Sequence, residues 1–135
     1  HPTLTFQQGN LLGLDAAAEA WAGIVAFYSL IHVPRTEVNE ALRECWRVLQ
    51  PDGLLLLAFH QGADSLHLEE WWERAVSLDF TFFQTEEMCG YLSQAGFIVE
   101  EILERPPYPE VEAQTQRTYL VARKLCAATS VKRSV

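Results

Sequence analysis

Two apolar runs, Gly23 to Ser29 and Leu54 to Phe59, flank a segment whose apolar residues recur at helical spacing. Gly23-Ile-Val-Ala-Phe-Tyr-Ser29 is rich in β-forming residues and nearly continuous in hydrophobicity, the pattern of a strand covered on both faces in a parallel sheet. Pro34 ends that run. Thr36 is placed to cap a helix whose apolar positions Val38, Ala41, Leu42, Cys45, Val48 and Leu49 share one face. Gln50-Pro51-Asp52-Gly53 is a turn signal, with Pro51 setting one backbone angle and Gly53 expected to adopt a conformation other residues resist. It leads into Leu54-Leu-Leu-Leu-Ala-Phe59, a second buried strand. Strand, helix, strand in this order is a βαβ unit, whose two strands should run parallel.

The flanks extend the pattern. Thr3 to Gln8 alternates and stops at Gly9-Asn10, which predicts a short strand and turn, and Ala16 to Ala22 predicts a turn or two of helix. Residues 61–84 lack a clean period and hold two acidic-aromatic clusters, Glu69 to Glu73 and Asp79 to Phe83, so they read as an insertion, part helical, beyond the second strand. Thr85 is a plausible cap for a helix ending at Gly96, with Glu86 and Glu87 in its first turn. Phe97 to Glu104 and Thr118 to Arg123 predict two strands that pair antiparallel, joined by the Pro-stiffened stretch Arg105 to Glu112, read as a connector that can also close over a site. The fold class expected is α/β: a partial doubly wound sheet, mostly parallel, with an antiparallel C-terminal strand pair. Residues 1–125 form one domain and 126–135 a polar tail.

Bulk properties narrow the function. At 135 residues and 49% hydrophobic content the chain can bury one core, and its formal charge of −8 opposes a polyanion-binding surface. Nucleic acid is therefore not an expected partner. The apolar runs are too short to span a bilayer, so no membrane role is expected. Cys45, Cys89 and Cys126 match neither a zinc spacing nor a disulfide framework, which points to a reducing cytoplasm.

The residues Gly23 to Arg35, then Ala41-Leu-Arg-Glu-Cys-Trp-Arg-Val-Leu-Gln-Pro-Asp-Gly-Leu-Leu-Leu-Leu-Ala-Phe-His60, together with Ala95-Gly-Phe97 and Arg117 to Lys124, closely resemble class I S-adenosylmethionine-dependent methyltransferases. In that family the corresponding stretch is the fourth strand, a helix ending in Arg-Val-Leu-x-Pro-Gly-Gly, and the fifth strand. The resemblance gives the Rossmann-like methyltransferase sheet and S-adenosylmethionine as cofactor, with a small molecule as methyl acceptor. It implies cofactor contacts from Gly9, Asn10 and Leu11, in the loop after the family's third strand, and from Tyr28 and Ser29 at the end of the fourth; for Asn10 a turn residue with no ligand is the plainer alternative.

His32 and His60 fall at the carboxyl ends of the two apolar strands, where open α/β sheets bind ligands, and imidazole suits removal of a proton from an acceptor. A hydrogen-bonded structural histidine is the plainer alternative for each. No metal site is expected, since His67 or Asp64 would have to supply a third ligand. Trp71-Trp72 and Phe80 to Phe83 read as cover for a small core, with a substrate-pocket wall as the alternative.

One departure from the family matters. No Gly-x-Gly-x-Gly loop precedes Thr3, so the expectation is a truncated domain, incomplete for cofactor binding on its own. Deleting the family's first two strands leaves the fourth strand, Gly23 to Ser29, at a bare edge, which predicts a homodimer through that edge. Two functions follow: a methyltransferase, or a fragment of one, and a non-catalytic binding or assembly module derived from it.

Overall fold

The helix between the apolar runs forms as α1, Val38–Val48, and the apolar positions assigned to its inner face are buried, although Leu49, assigned to the helix, is extended and begins the next strand. Its start differs from expectation. A short 3-10 turn, Arg35–Glu37, precedes it, so Thr36 lies inside that turn and Glu37 takes the cap position. The flanking strands are β1, Trp21–Phe27, and β2, Leu49–His60, paired in parallel from Gly23 with Leu54 to Phe27 with Ala58. The computed structural model describes residues 1–125. The tail 126–135, with Cys126, lies outside the described residues.

The bend at the start of β2 works differently from the sequence reading. Asp52, not Gly53, has a left-handed backbone, with φ of 63°. Gly53 is required by crowding: a Cβ there would come within 2.8 Å of the Gln50 carbonyl and 3.1 Å of the Ala22 carbonyl. Its missing side chain lets the bend press against β1.

Beyond β2 the chain forms a hairpin of β3, Ser65–Trp71, and β4, Arg74–Thr81, instead of the part-helical insertion expected. The turn residues Trp72 and Glu73 both have positive φ, 49° and 61°, the backbone of a tight hairpin turn normally occupied by Asn-Gly. With a bulky and an acidic residue in those places, the usual signal is missing. Helix α2, Thr85–Ala95, follows. Gln84 rather than Thr85 caps it, its backbone N–H donating to Glu87, and Gly96 closes it with φ of 101°. Strands β5, Phe97–Arg105, and β6, Arg117–Lys124, complete the main sheet, whose order is β1-β2-β6-β5. β6 lies antiparallel to both its neighbours, so the parallel pairing is between β1 and β2.

Helices α1 and α2 pack against one face of this sheet, around Leu42, Leu55, Leu57, Phe59, Leu92 and Leu120. The other face is open. Ala26 is 4% exposed while its neighbours Val25 and Phe27 are 66% and 48% exposed, so β1 is covered on one face, not on both.

Two N-terminal expectations fail for identifiable reasons. Thr3 to Gln8 is exposed and forms no strand, because among the described residues no strand lies beside it to take its backbone hydrogen bonds. Ala16 to Ala22 is not helical: Arg47 donates to the carbonyls of Leu14 and Ala16, the Glu19 amide donates to the Arg47 carbonyl, and Trp21 onward belongs to β1.

Candidate functional site

At the carboxyl end of β1 the backbone turns sharply. Tyr28 has φ of 53°, uncommon for a bulky residue, and its amide donates to the Ala58 carbonyl. The turn separates two environments: the Tyr28 ring swings toward β2 and β6, while Ser29 and the short turn Leu30–His32 face the N-terminal segment.

On the Ser29 side lies an open cleft of about 630 Å³, bordered by Gly9, Asn10, Leu11, Ser29 and His32. Five of the seven residues proposed from sequence thus meet at one place, although they come from segments about twenty residues apart. Asn10 uses its Oδ1 to accept from the Leu12 amide, which leaves its Nδ2 as a donor. The Ser29 hydroxyl caps no helix amide, and a Cβ on Gly9 would meet nothing within 4 Å. The cleft is large enough for a nucleoside, and the Asn10 amide and Ser29 hydroxyl suit its polar edges. Gly9, Asn10, Leu11 and Ser29 are residues for which the sequence resemblance implies cofactor contacts.

His32 Nδ1 lies 3.0 Å from the Asp79 carbonyl, which only accepts, so in the neutral ring Nδ1 carries the proton and Nε2 the lone pair. Its ring meets Phe80 edge-on at 5.0 Å. Phe80 in turn lines a second cavity, of about 160 Å³, under the hairpin. Leu66, Leu68, Trp71, Phe80 and Phe82 form its apolar wall, and His60 and Thr115 its polar side. Of the aromatic clusters, then, Phe83 is core at 0% exposure, Trp72 is 86% exposed, and Trp71, Phe80 and Phe82 line this cavity.

His60 and Tyr28, the other two candidates, sit together on this side, with ring centroids 5.0 Å apart. His60 Nδ1 is 2.7 Å from the Thr115 hydroxyl and 3.3 Å from Arg117 Nη1. Burial, and then the Arg117 charge, hold its pKa below the usual imidazole value. Tyr28 donates to or accepts from the Tyr119 hydroxyl at 3.0 Å, and burial raises its pKa.

The connector from Arg105 to Glu112 is tied to residues beside this cavity. Arg105 grips Glu112 with both terminal nitrogens, at 2.8 and 2.9 Å, and Arg117 Nε adds a third bond at 3.1 Å. Arg105 and the Tyr108 amide draw the Glu112 pKa down to about 2. This anchor brings Ala113 and Thr115 to the cavity rim. Sequence reading placed Glu112 in the connector and Arg117 at the start of the last strand without giving either, or Thr115, a role in the site, because the His60 ring they are gathered around lies on another element. The alternation Leu66, Leu68 against Leu78, Phe80 was the available signal for the hairpin.

Arg35 secures the hairpin base from below: it pairs with Glu87 at 2.7 Å and donates to the Phe82 carbonyl. His67 is paired with Asp79 at 2.7 Å, and among the described residues no group of three or more His, Cys, Asp or Glu side chains is gathered to hold a metal ion. Among those residues no helix is long and apolar enough to cross a membrane.

A family model described as "Methyltransferase domain" matches residues 1–57. No curated protein sequence matches the chain. Solved structures do. A S-adenosylmethionine-dependent methyltransferase from Methanosarcina mazei has 17% identity and a TM-score of 0.74, over 87% of this chain and 65% of its own. The Burkholderia thailandensis 1,6-didemethyltoxoflavin-N1-methyltransferase, crystallised with 1,6-didemethyltoxoflavin and S-adenosylhomocysteine, has 18% identity and a TM-score of 0.65, over 86% of this chain and 48% of its own. A S-adenosylmethionine-dependent methyltransferase from Mesorhizobium loti has 14% identity and a TM-score of 0.65, over 88% and 69%. The chain thus spans about half to two thirds of the length of these neighbours. Residues 1–57 match the methyltransferase-domain family, and the chain carries the Rossmann-like α/β fold of class I S-adenosylmethionine-dependent methyltransferases.

Proposed function

We propose that these residues form the acceptor side, and part of the cofactor side, of a S-adenosylmethionine-dependent methyltransferase acting on a small molecule. The observation that carries this reading is the shared wall between the two spaces: His32 borders the open cleft, and the Phe80 ring it touches lines the cavity. S-adenosylmethionine, when bound, supplies a methyl group on a positively charged sulfur. Asn10 Nδ2 and the Ser29 hydroxyl hold its adenosine end. His32 Nε2, with its lone pair free, accepts the proton that an N–H or O–H acceptor gives up as its new bond to carbon forms. The neighbour crystallised with a small acceptor and S-adenosylhomocysteine supports a small-molecule acceptor.

No Gly-x-Gly-x-Gly sequence occurs in these 135 residues, so the expected affinity is weak. Titration calorimetry tests the reading: heat with a millimolar-range Kd for S-adenosylhomocysteine, lost on changing Ser29 and Asn10 to Ala, is expected. No heat at millimolar ligand refutes it for this chain.

The bare edge of β1 favours a second reading, a homodimeric assembly module joined through Gly23 to Ser29. β1 stands first in the sheet order and pairs with β2 alone among the described residues, which supports it. Light scattering showing a monomer across micromolar concentrations rules that out.

A further inference from the structure

The cavity under the hairpin has a chemistry that specifies its occupant. Its volume, about 160 Å³, is close to that of an engineered apolar cavity of about 150 Å³ that binds benzene. Trp71 and Phe80 stack on each other at 5.8 Å and 21°, and this aromatic pair lines the cavity together with Leu66 and Leu68. One side chain introduces polarity with direction. A guanidinium only donates, so the approach of Arg117 Nη1 to His60 Nδ1 at 3.3 Å requires Nδ1 to be unprotonated, and the Thr115 hydroxyl at 2.7 Å can donate to the same atom. The proton of neutral His60 is therefore on Nε2; the hydrogen bonds this ring makes among the described residues are at Nδ1, and the residue lines the cavity.

The two histidines consequently face their spaces in opposite states: His32 offers a lone pair, His60 an N–H. We propose that the cavity binds a neutral six-membered ring bearing a hydrogen-bond acceptor, a carbonyl oxygen or a ring nitrogen, which takes the Nε2–H of His60. This rests on the methyltransferase reading only in naming the ring as the methyl acceptor. A cationic ring is disfavoured by Arg117 beside His60, and a carboxylate by the apolar wall and by Glu112, which already occupies both Arg105 and Arg117. His60 acts here as a binding and positioning group rather than as the base.

Ligand-observed saturation-transfer NMR on the full chain, without cofactor, tests the proposal with acetophenone, toluene, benzylamine and benzoate. Acetophenone should bind about tenfold more tightly than toluene, the worth of one net hydrogen bond, and both charged rings should bind more weakly than acetophenone. Replacing His60→Phe should erase the difference between acetophenone and toluene while toluene still binds, and Leu68→Trp should abolish both. Long-range ¹⁵N–¹H correlation spectra of the wild-type protein should show the proton of His60 on Nε2 and that of His32 on Nδ1. Equal binding of acetophenone and toluene to the wild-type protein, preference for benzylamine, or a His60 proton on Nδ1 overturns the proposal without recourse to any variant. Ring discrimination in a chain that gives no heat with S-adenosylhomocysteine refutes the methyltransferase reading alone; cofactor heat without ring discrimination refutes this one alone.

Discussion

Lys124, at the end of β6, is 3% exposed and has no carboxylate partner among the described residues. Its ammonium group donates to the carbonyls of Trp46 and Leu49, both at 2.8 Å, and sits 3.8 Å from the centre of the Trp46 ring. Those carbonyls stand at the C-terminal end of α1, where the helix has no amides left to bond them and its dipole favours a cation. Lys124→Met keeps most of the side-chain length and removes the donor. Each carbonyl left buried and unpaired costs about 1–3 kcal/mol, and loss of the cation over the indole costs about 1 kcal/mol more. Release of the ammonium from its buried site offsets part of this. The net expectation is a loss of about 2–4 kcal/mol, or a fall in Tm of about 10 °C for a domain of this size. Urea unfolding followed by tryptophan fluorescence measures it, and a double-mutant cycle with Trp46→Leu should return about 1 kcal/mol of coupling. If Lys124→Met changes stability by less than about 0.5 kcal/mol, the reasoning that this lysine closes the helix end is wrong.

Other outcomes follow from single positions. Asp52→Gly should stabilise the chain by up to about 1–2 kcal/mol by relieving the left-handed backbone, whereas Gly53→Ala should destabilise it by about 1–3 kcal/mol through crowding against the Gln50 and Ala22 carbonyls; urea midpoints of the two variants should move in opposite directions. Trp72→Asn combined with Glu73→Gly should raise hydrogen-exchange protection across β3 and β4, because Asn-Gly accepts the positive φ at both turn positions; unchanged protection would falsify that account of the turn. Glu112 should make stability depend on acidity. Its folded pKa, about 2 against an ordinary 4.5, is depressed by Arg105, the Tyr108 amide and Arg117, so its contribution is fully present above the ordinary value and is lost as pH falls from about 5 toward 2. Urea midpoints over that range should fall more steeply for the wild-type chain than for Glu112→Gln, and parallel curves would count against the anchor.

The sequence by itself determined the βαβ unit. Its two apolar runs and the amphipathic α1 specify strand, helix and strand through period alone, and the turn at Gln50 to Gly53 places their junction. The helix stop at Gly96 and the antiparallel pairing of β5 with β6 were readable on the same grounds. Where local signal and tertiary partners conflicted, the partners decided. Thr3 to Gln8 has a strand's alternation but no neighbour to bond, and Ala16 to Ala22 loses any helix to the Arg47 side chain and to β1. The hairpin forms despite its turn residues because Leu66 and Phe80, and Leu68 and Leu78, pair across it and Arg35 holds its base. The site shows the same division. His32 and His60 could be placed at strand ends by position alone, but the proton each carries is set by the Asp79 carbonyl and by Arg117, groups 47 and 57 residues away. Periodicity is a property of neighbouring residues, whereas a histidine's tautomer is decided by whatever the folded chain brings to its ring.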